Sequence, residues 1–238
     1  MATTRRFFVE NIGQTAVLTG DEFSHAKNVL RLREGDEVVL LDGSGREYDA
    51  VINEAGKREM LCTVLNSRPC DKEPETRVKL LLGALKGDKT EFAVQKATEL
   101  GVSEIGVFSS RYCSAYMNEN KLERLAKVAR EAAKQCLRAS VPEVEYYSSL
   151  EGALASCAGY ENKLFACEFA EKSETDLRGL KGSCALVVGS EGGFAPEEFE
   201  RARAAGFAGI SLGRRILRAE TAAVAFTAVT MFLLGELG

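Results

Sequence analysis

The first third of the chain alternates apolar and polar residues with the period of β-strands. Three such runs lie between residues 36 and 66, and they read DEVVLLDG, EYDAVINEA and REMLCTVLN, with Asp-Gly and Ala-Gly turns between them. Before these runs we expect a helix that ends at Gly35. Its apolar face is formed by Phe23, Ala26, Val29 and Leu30. The pattern predicts a small β-barrel with one helix.

The apolar pattern changes after residues 67–77, which read SRPCDKEPETR. This segment holds two of the four prolines of the chain and a cluster of charges, and we interpret it as a linker. We therefore place a first domain at residues 1–72 and a second domain at residues 73–238.

The second domain alternates continuous apolar runs with helical periods. VKLLLGAL and VSEIGVFSS are typical of buried strands, and EFAVQKATELG between them is typical of a helix, which makes a βαβ unit. A long helix follows at about residues 118–138. Further strands are expected in KLFACEF, CALVVGSEGG and AGISLG, with a helix from Pro196 to Gly206 and a last helix that ends at Leu234. This alternation predicts an α/β fold with a mostly parallel sheet covered on both faces.

Composition limits the class of protein without naming a partner. The 238 residues carry a net charge of −4, so a nucleic-acid surface has to be a local basic patch. The seven cysteines form no CxxC pair, so we expect reduced thiols and no metal site. The run TAAVAFTAVTMFLL is shorter than a membrane span, and Met1–Val9 does not resemble a targeting segment. We expect a cytoplasmic protein without membrane contact, whose apolar last helix is buried in its domain or against a second copy.

Three segments that could bind a ligand or take part in catalysis lie near the carboxyl ends of the last predicted strands, where open α/β sheets bind ligands. They are ACE at 166–168, GSEGG at 189–193 and LGRRILRAET at 212–221. The glycine segment lacks the Lys-Ser/Thr pair of a phosphate loop and contains Glu191, which disfavours a polyphosphate. Taken alone, the glycine segment is better interpreted as a plain strand-to-helix turn. The arginine cluster, taken alone, is equally compatible with a salt bridge at a helix entry.

Several blocks of sequence carry a resemblance to a known family. VVGSEGGF and LGRRILRAETAA resemble the second and third cofactor loops of the ribosomal RNA small subunit methyltransferase E family, in the SPOUT superfamily. KGDKTEFAVQKATELGV, REAAKQCLRASVPEV and His25 followed by Val29-Leu30-Arg31 resemble other blocks of that family, in the same order along almost the whole chain. The chain departs from the family pattern at Ser190 and Arg214, where proline is usual, and at Lys134, where glutamate is usual.

The resemblance implies a fold, an activity and partners. The implied fold is a SPOUT-type, trefoil-knotted α/β domain with a mostly parallel sheet, behind a PUA-like β-barrel that binds RNA. The implied activity is methylation of N3 of a uridine in 16S ribosomal RNA within the small subunit. S-adenosyl-L-methionine is the implied methyl donor and S-adenosyl-L-homocysteine the product, with no metal, and the implied assembly is a homodimer.

The resemblance also implies roles for individual residues. Arg218 is expected to stabilise an anionic uracil, and Glu220 to orient that arginine or to help remove the N3 proton. The expected cofactor-binding residues are Glu168, Val188, Gly189, Glu191, Gly192, Gly193, Leu212, Gly213, Ile216, Leu217, Thr221 and Ala222. The expected RNA-binding residues are Arg5, Arg6, His25, Arg31, Lys86, Lys89, Arg111, Gln135 and Arg138. For His25 alone, a partly buried side chain with satisfied hydrogen bonds is the alternative.

Three other functions are compatible with parts of the sequence. An RNA-binding protein without catalysis would keep the barrel and lose cofactor affinity. A SPOUT methyltransferase could act on a different RNA. An α/β oxidoreductase or phosphate-binding enzyme would use the glycine turn for NAD or ATP, but the third glycine of the dinucleotide motif is missing.

Overall fold

The computed structural model describes residues 5–167 and 175–238, and these divide into two compact units. The first unit comprises Met1–Glu73 and Ala133–Val141, and the second comprises Pro74–Ala132 and Pro142–Gly238. The sequence predicted a division close to residue 73 but did not predict that residues 133–141 belong with the first unit.

The first unit is built on a five-stranded sheet with the order β1-β3-β4-β5-β2. The strands are β1 (Arg6–Phe8), β2 (Thr15–Leu18), β3 (Glu37–Leu41), β4 (Arg46–Ala55) and β5 (Met60–Pro69). β1 pairs with β3 in parallel, and the other pairs are antiparallel. The last three strands match the three predicted runs. β1 and β2, of 3 and 4 residues, are too short to give a readable alternation.

The helix of the first unit is shorter than its apolar pattern predicts. α1 (Gly20–Ser24) continues as one π-helical turn, His25–Val29, and Arg31 then takes the left-handed conformation with φ of 55°. Helical hydrogen bonding stops there because a positive φ breaks the i to i−4 pattern. The prediction that the helix ends at Gly35 is therefore wrong. Gly35 instead lies in a turn, with φ of 88°, and its N–H donates to the Ile52 carbonyl at 2.8 Å.

The second unit has a six-stranded, fully parallel sheet with the order β11-β9-β10-β6-β7-β8. The strands are β6 (Val78–Gly83), β7 (Glu104–Phe108), β8 (Glu143–Tyr147), β9 (Asn162–Ala166), β10 (Cys184–Val188) and β11 (Ala208–Ile210). The central strands β6 and β10 are buried at every residue. This burial on both faces explains their continuous apolar runs and confirms the predicted parallel sheet.

Five helices accompany this sheet in the described part of the second unit. They are α2 (Lys89–Glu99), α3 (Glu119–Gln135), which continues into residues 133–135 of the first unit, α4 (Leu150–Ala155), α5 (Pro196–Ala204) and α6 (Ala219–Leu233). β8 and α4 were not predicted. β8 is an edge strand with no fully buried residue, and α4 has only 6 residues, so neither presents an apolar period.

The last helix, α6, is apolar but is not buried on every side. Phe226 and Met231 are fully buried, whereas Val229 and Phe232 are 48% and 65% exposed. No helix within the described ranges is long and apolar enough to span a membrane. All seven cysteines are free, and five of them are buried, whereas Cys113 and Cys136 are half-buried.

Candidate active site

A cavity of about 630 Å³ lies at the carboxyl ends of β9, β10 and β11. Ala166 and Val188, the last residues of β9 and β10, line it together with Ile210, the last residue of β11. Residues 189–194 and 211–218 form its two loops, and the first turn of α6 forms a further wall. The predicted ligand site at the carboxyl edge of the sheet is thus a real cavity of ligand size.

The first loop turns tightly because glycine stands where a side chain would collide. A Cβ built on Gly189 would lie 2.8 Å from the ring of Phe194. Gly193 has φ of 66°, and its N–H donates to the Ser190 carbonyl at 3.0 Å, which closes the turn. Phe194 in turn contacts Phe165 at a ring-centroid distance of 4.3 Å within the core. The loop is therefore anchored by packing and leaves its backbone against the cavity.

Gly83, the last residue of β6, allows this loop to approach the neighbouring strand. A Cβ on Gly83 would lie 2.5 Å from the backbone nitrogen of Ser190 and 2.9 Å from the carbonyl carbon of Gly189. Both are main-chain atoms, so the loop itself would have to shift.

Gly83→Ala is expected to lower the free energy of unfolding by about 1–3 kcal/mol, as overpacking does. It should also weaken binding of S-adenosylhomocysteine, the ligand that the resemblance predicts. Chemical denaturation and calorimetry measure the two effects. The control is Gly159→Ala, because Gly159 has no atom within 4 Å of its built Cβ and no positive φ. Equal behaviour of the two variants would contradict the steric argument.

The second loop carries three arginines at the mouth of the cavity. Gly213 has φ of 102°, and Arg214, Arg215 and Arg218 follow it as exposed residues that line the cavity. Arg218 is also the N-cap residue of α6. The side chain of Ile216 is 88% exposed, so it does not cover the cavity in this structure.

Two carboxylates face the same cavity in different states of pairing. Glu191 accepts hydrogen bonds from the Lys86 backbone N–H and from the Lys89 ammonium, each at 3.1 Å. Partial burial acts to raise the pKa of Glu191, but these donors outweigh it and hold the pKa below its ordinary value. Glu220, by contrast, has a buried Oε2 without a hydrogen-bond partner among the described residues. A buried unpaired carboxylate oxygen is costly, so it is a natural acceptor for a bound group.

Most of the predicted cofactor-binding residues meet at this cavity. Those that line it are Val188, Gly189, Glu191, Gly193, Leu212, Gly213, Ile216, Leu217 and Ala222, and both predicted catalytic residues, Arg218 and Glu220, join them. Gly192 and Thr221 do not line it. Gly192 instead packs on Tyr112, because its built Cβ would lie 2.6 Å from the Tyr112 Cβ. Glu168 lies outside the described residues. The roles of these residues stay predictions.

The predicted RNA-binding arginines of the first unit differ in exposure. Arg5 is exposed and pairs with Asp36 at 3.0 Å. Arg6 is 7% exposed, pairs with Glu47 at 2.6 Å and donates to the Leu137 carbonyl at 3.0 Å. Arg138 is 4% exposed and pairs with Glu73 at 3.2 Å. Burial and pairing argue against direct phosphate contacts by Arg6 and Arg138, because their guanidinium charges are already neutralised inside the unit.

The other predicted RNA-binding residues of the first unit are accessible. Arg31 and Gln135 are exposed. His25 is half-buried, and its ring meets Phe7 edge to face at 5.9 Å, which supports the packing alternative given for it. Lys134 stands where glutamate is usual in the family that the chain resembles. It has a structural role in this unit, since it is 8% exposed and pairs with Glu22 at 2.8 Å.

In the second unit, Lys86 and Arg111 are exposed, whereas Lys89 is half-buried and lines the cavity. The Arg111 guanidinium pairs with Glu197 at 3.2 Å, and the Arg111 backbone N–H donates to Glu198 at 2.9 Å. Nine residues of the cavity lining were not among the predicted site residues: Ala166, Cys167, Ser190, Phe194, Ile210, Ser211, Arg214, Arg215 and Ala219. Their proximity to the glycine motif was the available signal for Ser190 and Phe194. The Oγ of Ser190 is buried without a partner among the described residues.

Comparisons with known proteins agree with this arrangement. A family model described as an RNA methyltransferase domain matches residues 72–231, and a model described as an RNA methyltransferase PUA domain matches residues 18–65. The chain belongs to the RNA methyltransferase family. The predicted enzyme class is therefore confirmed.

Individual relatives of this RNA methyltransferase resemble it over nearly their whole length. It is 32% identical to the ribosomal RNA small subunit methyltransferase E of Bacillus subtilis over 236 residues, which cover 92% of each chain. It is 34% identical to the protein of the same name from Mycobacterium bovis over 231 residues, covering 91% and 87%. The solved structure of that enzyme from Neisseria gonorrhoeae, bound to S-adenosyl methionine, superposes with a TM-score of 0.90 at 30% identity and 98% coverage of both chains.

The predicted fold class is confirmed by these matches together with the sheets described above. The second unit is an α/β RNA methyltransferase domain with a parallel sheet, and the sheet of the first unit belongs to a PUA domain. The trefoil knot stays a prediction.

Proposed function

We propose that this RNA methyltransferase uses S-adenosyl-L-methionine to methylate N3 of a uridine in 16S ribosomal RNA of the small subunit. The observation that carries the proposal is the meeting of both predicted cofactor loops at one cavity, with Arg218 and Glu220 at its wall. The relatives named above support the ribosomal substrate, because they are small subunit ribosomal RNA methyltransferases. They also support the predicted cytoplasmic location, because a ribosomal RNA substrate is found there.

The residues of the cavity fit S-adenosyl-L-methionine better than a phosphate cofactor. This molecule is a sulfonium cation without phosphates, and it supplies a methyl group as the electrophile. Glycine backbone at 189 and 193 allows close approach of a nucleoside, and the cavity volume of about 630 Å³ suits a ligand of that size. Glu191 is already paired with Lys89, whereas the unpaired oxygen of Glu220 presents negative charge to a cationic group of the ligand, and the glycine loop lacks the Lys-Ser/Thr pair of a phosphate loop.

The chain's own residues can carry the remaining chemistry. Methylation at N3 would form an N–C bond as the S–CH3 bond of the donor breaks and S-adenosylhomocysteine leaves. N3 has to lose its proton for this reaction, so the uracil carries negative charge until the methyl group is transferred. The Arg218 guanidinium is exposed at the cavity mouth, where it can hydrogen-bond the uracil oxygen that gains charge. Glu220 lies two residues further, on the first turn of α6, and its unpaired oxygen can orient Arg218 or accept the proton. Holding N3 in line with the methyl group is the largest task, worth roughly 7–11 kcal/mol when done well.

The homodimer predicted from the family resemblance is part of this proposal. Val229 and Phe232 of α6 are 48% and 65% exposed, and Phe92 of α2, the helix that packs on α6, is 46% exposed. Large apolar side chains left in water on two helices that pack together support a contact with a second copy of the chain.

Mapping the methylated base tests the proposal. The protein is incubated with tritiated S-adenosyl-L-methionine and small ribosomal subunits from a strain that lacks the modification. We expect label at N3 of a single uridine of 16S RNA. Label in another RNA would show that the proposed substrate is wrong and that the proposed methyl transfer is right. Binding of S-adenosylhomocysteine without any label would favour an RNA-binding protein without catalysis, and binding of NAD or ATP instead would overturn the cofactor.

A further inference from the structure

Arg214 and Arg215 differ from most arginines of this unit because no residue that the structure describes neutralises their charges. Both are exposed, both line the cavity, and neither makes a hydrogen bond or ion pair within the described parts of the chain. Arg218, on the same loop, is in the same state and is assigned to the uracil above. Three guanidinium groups without an ion pair to any described residue therefore lie within five consecutive residues at the mouth of one cavity.

Other arginines of the second unit are paired with carboxylates. The pairs are Arg77 with Glu104, Arg111 with Glu197, Arg124 with Glu91, Arg178 with Asp176, Arg201 with Glu151 and Arg203 with Glu200. Most of these pairs are exposed, so an arginine on this surface ordinarily has a carboxylate within reach. The loop at 214–218 differs from the rest of the unit in this respect.

The bound cofactor accounts for at most one of these charges. S-adenosyl-L-methionine carries a sulfonium and an ammonium cation besides its single carboxylate, so its net charge is positive and three guanidinium groups exceed what it can pair. Adjacent cations also repel one another, and they are favoured only when an anion binds between or beside them. The reacting nucleotide enters through this mouth, and its own phosphates are the anions that arrive with it. The planar guanidinium fork matches the oxygens of a phosphate.

We propose that Arg214 and Arg215 bind the RNA phosphates that flank the target nucleotide. The proposal rests on the proposed function and adds residues to which the sequence assigned no role. Arg214 is of special interest because proline is usual at this position in the family that the chain resembles. This chain would therefore hold its substrate with an additional charge directly beside the cofactor.

The test measures RNA binding separately from turnover. Purified 16S RNA is titrated into the protein saturated with S-adenosylhomocysteine, at several KCl concentrations and constant Mg²⁺. Arg214→Ala and Arg215→Ala are each expected to weaken binding about tenfold, the loss of one charge-assisted hydrogen bond. Each should also reduce the slope of log K against log salt by about 0.7–0.9, the value for one phosphate contact. With small ribosomal subunits as substrate, KM should rise while kcat stays unchanged.

Matched variants separate this role from general charge and from folding. Arg201→Ala removes an arginine of the same unit that pairs with Glu151, and we expect an unchanged salt slope. Arg214→Lys keeps the charge and should restore most of the slope. Affinity for S-adenosylhomocysteine should not fall in either alanine variant.

The outcomes distinguish this proposal from the proposed function. An unchanged salt slope in both alanine variants, while the wild-type protein methylates 16S RNA, overturns the phosphate contacts alone. If the alanine variants have a reduced salt slope but the wild-type protein labels a different RNA, the phosphate contacts of Arg214 and Arg215 stand and the proposed substrate is wrong. A fall in kcat without a change in KM would move Arg214 or Arg215 from substrate binding to the chemical step and would also overturn the proposal.

Discussion

Arg218→Ala is expected to lower the rate of methyl transfer by about 10²–10³-fold and to leave the affinity for S-adenosylhomocysteine within about twofold. The size of the effect is that of removing one donor from a developing anion, or roughly 2.7–4 kcal/mol of transition-state stabilisation. Arg218 lines the cavity and makes no hydrogen bond or ion pair with any residue that the structure describes, so its removal breaks no structural contact. Single-turnover methylation with tritiated cofactor measures the rate, and calorimetry measures the affinity.

The pH dependence of the variant separates a catalytic arginine from a structural one. If Arg218 lowers the cost of forming anionic uracil, its loss leaves the reaction more dependent on hydroxide. The rate of Arg218→Ala should therefore rise more steeply with pH than the rate of the wild-type protein. Arg201→Ala, which removes an arginine on α5 away from the cavity lining, should keep the wild-type rate and pH profile. Full activity of Arg218→Ala would discard the proposed role.

The candidate site could be predicted from the sequence because it depends on local chemistry. Glycines and charges just after apolar strands mark the carboxyl edge of a parallel sheet, and the structure brings 189–193 and 212–218 together there. Family resemblance added the identity of the ligand. Arg214 and Arg215 were visible as charges in the sequence, but their lack of partners among the described residues became visible only in the fold.

Pairing between distant residues could not be predicted. Arg6 reaches the carbonyl of Leu137, a residue 131 positions away, and Lys134 reaches Glu22 across 112 positions. A basic residue that is buried in such a pair has the same local sequence as one that is exposed to RNA. For this reason Arg6 and Arg138 were assigned to phosphate binding, although both are buried. Short or edge elements such as β1, β2 and β8 were missed for a related reason, since tertiary pairing stabilises them rather than their own apolar pattern.

A cluster of charged side chains around the buried Lys79 lies at the amino ends of β6 and β7, away from the cavity. Lys79, near the start of β6, is 2% exposed and pairs with Glu104, the first residue of β7, at 3.2 Å. Glu104 also binds Arg77 and accepts a hydrogen bond from the Tyr160 hydroxyl at 2.7 Å. Burial acts to raise the pKa of Glu104, but the hydrogen bonds from Tyr160, Arg77 and Lys79 outweigh it and hold the pKa below its ordinary value.

Glu104→Gln is expected to lower the free energy of unfolding by about 3 kcal/mol at neutral pH, because it leaves the Lys79 ammonium buried without its closest carboxylate. Glu145 at 3.5 Å and the Tyr147 hydroxyl at 3.0 Å remain as partners of Lys79, which places the loss at the lower end for a buried pair. Urea denaturation followed by circular dichroism measures the change, since the chain has no tryptophan. Glu151→Gln, in the exposed pair with Arg201, is the control and should cost less than about 1 kcal/mol.

The pH dependence of this loss has a definite sign. A carboxylate whose pKa is lowered by folding stabilises the protein above its ordinary value of 4.5, and this stabilisation disappears as the pH falls through the lowered value. The difference between the wild-type protein and Glu104→Gln should therefore shrink in acid. Because Glu104 lies at the amino end of its strand and the cavity lies at the carboxyl ends, the folded variant should bind S-adenosylhomocysteine with unchanged affinity. If the fully folded Glu104→Gln variant bound S-adenosylhomocysteine more weakly, the amino and carboxyl ends of the strands would be coupled. If the difference in unfolding free energy between the two proteins stayed constant down to acidic pH, ionisation of Glu104 would not be the source of the stability.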